Sequence, residues 1–279
     1  MKDRGILRKL ATYLFLIAGA LSMILPFFWM MTTSLKTLDA IYIQPKNWIQ
    51  MFIPMSFIWQ NYAEAFTKVP FAAFYVNSIL VGIVVTIGQV LTSSLAAYAF
   101  SRLQFPGRDK IFFAYLATMM IPGSVTMIPV FVLMKVFNWI DTYTALIVPA
   151  IFTAYGTFML RQFFMTLPKD LEDAAKIDGC SFFRIYWTII LPLSKPALAT
   201  LTVFTFMGNW GSFMWPLLVT NTMEMRTLPI GLQSFQTQYS TDWHLLMAGS
   251  VMAMLPIVII FIFTQRYFVE GVKLSGIKG

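Results

Sequence analysis

Across 279 residues the sequence holds one cysteine, one histidine and only 11% charged residues, where ordinary globular chains carry about 25%. With Cys180 alone, no disulfide can close within the chain. A metal centre of His, Cys and carboxylates lacks its ligands for the same reason. Cys180 itself reads as a small buried hydrophobe. There is no G-x-x-x-x-G-K-[ST] phosphate loop, so the chain is not expected to bind ATP in that manner or to be an enzyme by itself. Six long stretches contain no Asp, Glu, Lys or Arg at all: Leu10–Met31, Val69–Ser101, Ile111–Met134, Thr142–Leu160, Pro196–Met223 and Trp243–Gln265. That absence removes the parts of a proton relay or voltage sensor and weighs against a secondary transporter. An intramembrane protease lacks its histidine, because His244 stands at the edge of the last stretch, where it reads as an interfacial side chain.

What is abundant is apolar. The composition is 58% hydrophobic, with 27 Phe, 19 Met and 8 Trp, more than one globular core of this length can hide. Each charge-free stretch is long enough to cross about 30 Å of hydrocarbon as a helix of about 20 residues. The stretches are continuously apolar and do not alternate, which excludes barrel strands. The expectation is an all-α, polytopic membrane protein with a single domain over residues 1–279. Its six transmembrane helices are placed near 11–32, 74–100, 111–134, 142–164, 196–220 and 244–265. The first stretch follows Lys2, Arg4, Arg8 and Lys9 but exceeds the about 7–15 apolar residues of a signal sequence, so it reads as a retained anchor. Cytoplasmic termini leave only Lys36, Lys46, Lys68, Lys135 and Arg226 of the 20 Lys and Arg on the outer side, as the positive-inside rule asks. The net charge of +8 then expresses topology and not nucleic-acid binding.

The polar groups inside the stretches are neutral. Asn77, Gln89, Thr92, Ser93, Ser94, Thr118, Asn209 and Ser212 suit helix–helix hydrogen bonds or a pathway for an uncharged polar solute. Asn77 and Asn209, with Trp210 and Trp215, are the pathway candidates, since an amide beside aromatic faces fits the hydroxyls and C–H faces of a sugar ring.

Loop 166–192 is the informative segment. Pro168 suits the first turn of a helix, and Asp170, Glu172 and Asp173 complement its positive end. Leu171, Ala174, Ala175 and Asp178 share one helical face, with the two alanines permitting close approach by another surface. Gly179 can take the positive φ that ends this helix, and Ser181 is placed to cap a second over Phe182–Trp187. A merely solvated connector would not carry Phe182, Phe183, Tyr186 and Trp187, so a partner is expected to cover it.

The run Asp173-Ala174-Ala175, then Gly179 after three residues, Ile189 after nine more and Leu191-Pro192 after one more resembles the EAA loop of permease subunits in binding-protein-dependent ABC importers. WGSFMWPLLVT (Trp210–Thr220), RTLPIGLQSFQ (Arg226–Gln236) and the terminal QRYFVEGVKLSGIKG (Gln265–Gly279) are similar to the carbohydrate branch, specifically the smaller maltose-type six-helix subunit. The resemblance implies the type I importer permease fold in a multi-pass inner-membrane protein. Its implied partners are a second, non-identical permease, two ATPase subunits carrying ATP and Mg, and an external solute-binding protein that delivers a carbohydrate, a di- or oligosaccharide. It also implies that Asp173, Ala174, Ala175, Gly179, Ile189, Leu191 and Pro192 form the ATPase-coupling loop. Gly231, Gln233, Ser234, Phe235 and Gln236, in loop 224–242, would face the binding protein, and the C-terminal tail would approach the ATPases. No cofactor is expected on this chain. Two departures from the family pattern are Asp173 in place of Glu, and Asn209-Trp210-Gly211-Ser212 where Trp-Asn and an acid are common. Another neutral solute, an osmolyte glucoside, or glycerol phosphate is the alternative cargo.

Overall fold

The computed structural model describes residues 2–43 and 47–275; Pro45 and Lys46 of the external loop and residues 276–279 of the terminal segment lie outside them. The described residues are helical apart from turns and one isolated bridge between Gln236 and Thr241. The helices are α1 (Lys2–Ser34), α2 (Leu38–Tyr42), α3 (Trp48–Phe52), α4 (Gln60–Lys68), α5 (Phe71–Arg102), α6 (Arg108–Ala117), α7 (Gly123–Val136) and α8 (Tyr143–Ile147). They continue as α9 (Ala154–Thr166), α10 (Asp170–Ile177), α11 (Phe182–Ile185), α12 (Leu191–Leu193), α13 (Lys195–Trp210), α14 (Met214–Val219), α15 (Leu228–Leu232) and α16 (Trp243–Ser275).

Among the described residues, three helices contain stretches long and apolar enough to cross a membrane unbroken: Arg8–Ser34, Phe71–Arg102 and Trp243–Gln265. Three more candidate spans are bent pairs, which brings the possible number to six. The stretch expected as one helix over 111–134 breaks at Ile121–Pro122, and Arg108–Met120 meets Gly123–Val136 at 98°. Pro122 lacks the N–H that would continue the ladder and disfavours helical φ/ψ in Ile121 before it. Tyr143–Ala150 and Ala154–Thr166 meet at 40°, and Phe182–Leu193 and Lys195–Trp210 at 79°. The stretch expected over 196–220 is interrupted after Trp210 and resumes as α14. Pro26, Pro129 and Pro256 lie inside helices without ending them, as spanning helices tolerate.

The chain divides into two compact units. The first comprises residues 1–71 and 231–255. Most of α1 has no protein neighbour on any side: Phe15 is 79% exposed and Met23 75%, a surface that only an apolar solvent would favour. Its end is fixed by polar contacts. Asn61 Nδ2 donates to the carbonyls of Ser34 (2.8 Å) and Lys36 (2.9 Å), and Ser34 and Tyr62 share a hydroxyl bond of 2.8 Å. The Lys36 ammonium donates to the carbonyls of Gln50 and Met51, and its burial lowers its pKa from the usual lysine value. Phe71, Phe235, Leu245 and Ala248 are buried around Gly249.

The second unit comprises residues 72–230 and 256–279. Along α5 it builds two apolar cores. One gathers Val81, Val85, Met134, Ala145, Leu146 and Val219. The other gathers Ala97, Tyr98, Leu160, Phe164, Ile185 and Tyr186 among its members. Gly156 brings α9 against its neighbours, since a Cβ there would lie 2.6 Å from Ser93 Oγ and 3.2 Å from Leu201 Cδ1.

Candidate functional site

The loop between α9 and α13 folds from local instructions. Three acids occupy the first turn of α10, where the helix dipole favours them. Gly179 takes φ +78°, which breaks the chain direction at little steric cost. Ser181 Oγ then accepts from Arg184 N at 3.3 Å and caps α11. After α11 the backbone runs through a π-helical turn over Tyr186–Ile190. Its wider winding buries Tyr186, whose hydroxyl shares a 2.7 Å bond with Ser94 on α5.

Packing divides the loop into two faces. Glu172 and Ala175 turn inward and are buried. Ala175, expected on the contact surface, is instead part of the chain's own core with Phe164 and Ile185. Leu171, Ala174 and Asp178 are exposed, as is Asp173, so of the four residues expected on one face Ala175 alone turns away. Ile189 and Leu191 pack against the same core, and Pro192 is exposed. Apolar side chains of the loop are left uncovered: Ile177 is 87% exposed, and Phe182, Phe183 and Trp187 are exposed as well. Among the described residues, Asp173 pairs only with Lys176, at 3.0 Å on the exposed face, and remains accessible to another protein.

Glu172, by contrast, is committed within the chain. Its Oε1 lies 2.9 Å from Nε of Arg102, the last residue of α5, and both side chains are almost wholly buried. Arg102 Nη2 also donates to the carbonyls of Phe164 and Leu167. One guanidinium therefore joins the end of α5, the end of α9 and the first turn of α10. The pairing was not anticipated; an arginine closing a long apolar run and an acid inside a helix start were the available signals. Beside the pair lies a cavity of about 520 Å³ lined by Arg108, Arg161, Lys169, Lys176 and Asp173 among others.

A second cavity lies near the opposite end of α5. Ser78 and Arg102 are separated by about 36 Å of helix at 1.5 Å per residue. This cavity measures about 300 Å³, and its lining includes Ser78, Thr126, Asn209, Ser212, Trp215 and Thr227. It brings Asn209 and Trp215 together but not the other two pathway candidates. Asn77 is spent on structure: its Nδ2 donates to the carbonyls of Glu224 (2.6 Å) and Arg226 (2.9 Å), and its Oδ1 accepts from the Tyr143 hydroxyl at 2.6 Å. Trp210 is 4% exposed and packs against Phe206 and Tyr75. Gln89 and Thr92 likewise bond the carbonyls of Ala150 and Ile151 at the break between α8 and α9. Thr227 was not anticipated, because nothing local distinguishes it.

In the first unit, the expected binding-protein contacts also separate. Gln233 and Gln236 are exposed, Ser234 is half-buried, and Gly231 and Phe235 are buried. Phe235 packs toward Gly249, so it braces the loop from within. Tyr239, 91% exposed, is the aromatic this loop presents outward. The tail residues through Ser275 continue α16.

Residues 89–274 match the family model described as "Binding-protein-dependent transport system inner membrane component". The chain is 40% identical over 230 residues to the arabinooligosaccharides transport system permease protein AraQ of Halalkalibacterium halodurans, covering 82% of each chain. It is 36% identical over 227 residues to the sn-glycerol-3-phosphate transport system permease protein UgpE of Yersinia pestis, covering 78% of this chain and 81% of the relative. A crystal structure of a bacterial ABC transporter involved in import of the acidic polysaccharide alginate contains a chain of the same fold, with TM-score 0.84, 21% identity and coverage of 94% and 96%. An all-helical, multi-pass chain with long apolar spans, a two-helix loop tied to the end of α5 and a match across two-thirds of its length belongs to the family of inner-membrane components of binding-protein-dependent transport systems.

Proposed function

We propose that this chain is the permease subunit of an ATP-driven importer for a carbohydrate, coupled to its ATPase through loop 166–192. The carrying observation is the two-faced loop. Its inner face is locked to α5 by the Arg102–Glu172 pair, while Ala174, Ile177, Phe182, Phe183 and Trp187 form an outer face that its own chain leaves uncovered. An exposed apolar surface of this kind on a rigid support fits a docking partner. ATP closing a dimer of partner subunits would move the loop. The ion pair and the shared core would carry that movement into α5, α9 and α13, biasing the bundle between two access states. ATP and Mg would reside on the partner. A second, non-identical permease would complete the pathway, and Gln233, Gln236 and Tyr239 would meet an external solute-binding protein.

The permease name of the Halalkalibacterium relative favours an oligosaccharide as cargo, and that of the Yersinia relative favours glycerol phosphate. Among the described residues, the lining of the 300 Å³ cavity has no Lys, Arg or His, and an anionic cargo would want one, so the neutral carbohydrate is preferred. In the assembled importer, Ala174→Trp and Gly179→Asp are expected to abolish uptake and the stimulation of ATP hydrolysis by the loaded binding protein, with membrane insertion unchanged. Normal uptake by both variants defeats the docking assignment.

A further inference from the structure

The cavity of about 520 Å³ beside the Arg102–Glu172 pair stands where three of the apolar stretches stop. Arg102 directly follows the stretch ending at Ser101, and Arg161 directly follows the one ending at Leu160. Arg108 opens α6, three residues before the stretch that begins at Ile111. Cations that flank the ends of spanning runs lie at headgroup depth. The cavity is therefore at the membrane surface, on the side that carries loop 166–192.

Its charge is unbalanced. The lining holds Arg102, Arg108, Arg161, Lys169 and Lys176 against Glu172 and Asp173. Counting Asp109, which pairs with Arg108 and Arg161, five cations meet three carboxylates. Three of the cations are engaged: Arg102 by Glu172 at 2.9 Å, Arg108 by Asp109 at 3.0 Å and Lys176 by Asp173 at 3.0 Å. Two keep free donors. The Lys169 ammonium makes no hydrogen bond or ion pair among the described residues, and it stands at the start of α10, where the helix dipole disfavours a cation. The Arg161 side chain is only 15% exposed. It is oriented by Nε, which donates to the Phe100 carbonyl at 3.2 Å, and by its position 4.2 Å from the centre of the Phe112 ring. Its Nη2 lies 3.8 Å from Asp109 Oδ1, beyond hydrogen-bond reach. Both terminal nitrogens thus keep their protons for another acceptor, and neither is sealed from the surface.

We infer that this cavity binds the phosphate of an anionic phospholipid in the leaflet on the loop's side, with Arg161 and Lys169 as its direct contacts. A planar guanidinium with two free terminal nitrogens matches two phosphate oxygens, and basic pockets between spanning helices suit anionic headgroups. The volume lies within the about 300–1,000 Å³ of small-molecule sites and admits a glycerophosphate headgroup. The surface beside it fits acyl chains. On α9, Phe158 and Met165 stand three residues before and four after Arg161, on the same helical face, and both are exposed. Free phosphate shares the headgroup's chemistry but makes no use of that apolar flank. A bound headgroup joins α9 to the start of α10, next to the Arg102–Glu172 pair, and so ties the seating of the loop to the lipid. The inference rests on the chain spanning a membrane and not on its cargo.

The test uses the assembled importer, stripped of lipid in a neutral detergent. It is titrated with phosphatidylglycerol, with phosphatidylcholine of the same acyl chains, or with inorganic phosphate. Native mass spectrometry counts retained lipid, and the melting temperature reports stability. Phosphatidylglycerol should be retained in preference to phosphatidylcholine. Lys169→Gln should weaken retention of one phosphatidylglycerol per importer about fivefold, the worth of one cation near an anionic surface. Arg161→Gln should weaken it about tenfold, through loss of a bidentate contact. Without lipid, Lys169→Gln should melt no lower than the wild type, because that side chain holds nothing in the fold. Lys135→Gln, at an exposed lysine on α7, should retain lipid as the wild type does. Unchanged retention in both cavity variants, or equal retention of phosphatidylcholine, overturns the site. Stabilisation by inorganic phosphate as large as by phosphatidylglycerol, and lost in both variants, gives the cavity to a free anion and overturns the lipid. Loss of the ATPase from both variants with lipid retention unchanged gives it to acidic side chains of that partner and overturns the lipid equally. Each of these results leaves the permease reading standing.

Discussion

Replacing Glu172 by alanine removes the carboxylate that neutralises Arg102, whose side chain is 3% exposed against 5% for Glu172. The guanidinium would keep its carbonyl acceptors at Phe164 and Leu167 but lose its counter-charge in a buried setting. Removing one partner of a buried pair costs about 3–5 kcal/mol, and the two surviving carbonyls place this case near about 3 kcal/mol. Each tenfold change in an equilibrium corresponds to about 1.4 kcal/mol, so seating of α10 against α5 should weaken about a hundredfold. Neutralising the exposed Asp173–Lys176 pair should cost only about a few tenths of a kcal/mol. The assay is tryptic cleavage at Lys169 and Lys176 in the assembled importer, read beside the ATP turnover stimulated by loaded binding protein. Glu172→Ala should be cut faster and lose stimulation. Pairing Glu172→Leu with Arg102→Leu should restore most of both, because an apolar pair has no charge to strand. A Glu172→Ala variant as protected and as stimulated as the wild type refutes the strut.

Gly156→Ala should lower the melting temperature of the purified subunit by an amount equivalent to about 1–3 kcal/mol of overpacking, because the new methyl meets Ser93 and Leu201. Gly208→Ala, with nothing within 4 Å of its Cβ, should show no such loss. Burial pushes the Asp141 carboxyl up, but bonds from the amides of Asn221 and Thr222 and the Thr222 hydroxyl outweigh it and hold the pKa below the usual value. Asp141 therefore stabilises the α14–α15 connection above about pH 3.9, the unfolded value, and that contribution disappears as pH falls through the lower folded value. Thermal melts of Asp141→Asn should show a flatter acid limb than the wild type.

Features set by neighbouring residues were legible in the sequence. Gly179 at positive φ and the Ser181 cap follow from steric freedom and a hydroxyl three residues before a free N–H, and both occur as expected. Features set by distant packing were not. Periodicity placed Ala174 and Ala175 on one surface, yet the direction of that surface depends on Phe164 and Ile185, and it turns Ala175 inward. Asn77 was visible as a polar group in an apolar run, but its use depends on carbonyls at Glu224 and Arg226 far along the chain. Hydropathy reads straight through Pro122 and Gly211 and so hides the breaks that give the cavity near Ser78 its walls. The Arg102–Glu172 pair also joins residues far apart in sequence, and no local pattern announces it.

The central claim is that loop 166–192 presents Ala174 and its exposed neighbours to an ATPase. Replacing Cys180, the only cysteine in the chain, by serine gives a background for single cysteines at 174 and 175, treated with a short thiol-to-amine linker in the assembled importer. The account predicts linkage to the ATPase from Ala174→Cys and little from Ala175→Cys, whose side chain faces the chain's own core. No linkage to the ATPase from position 174, or equal linkage from both positions, would contradict it.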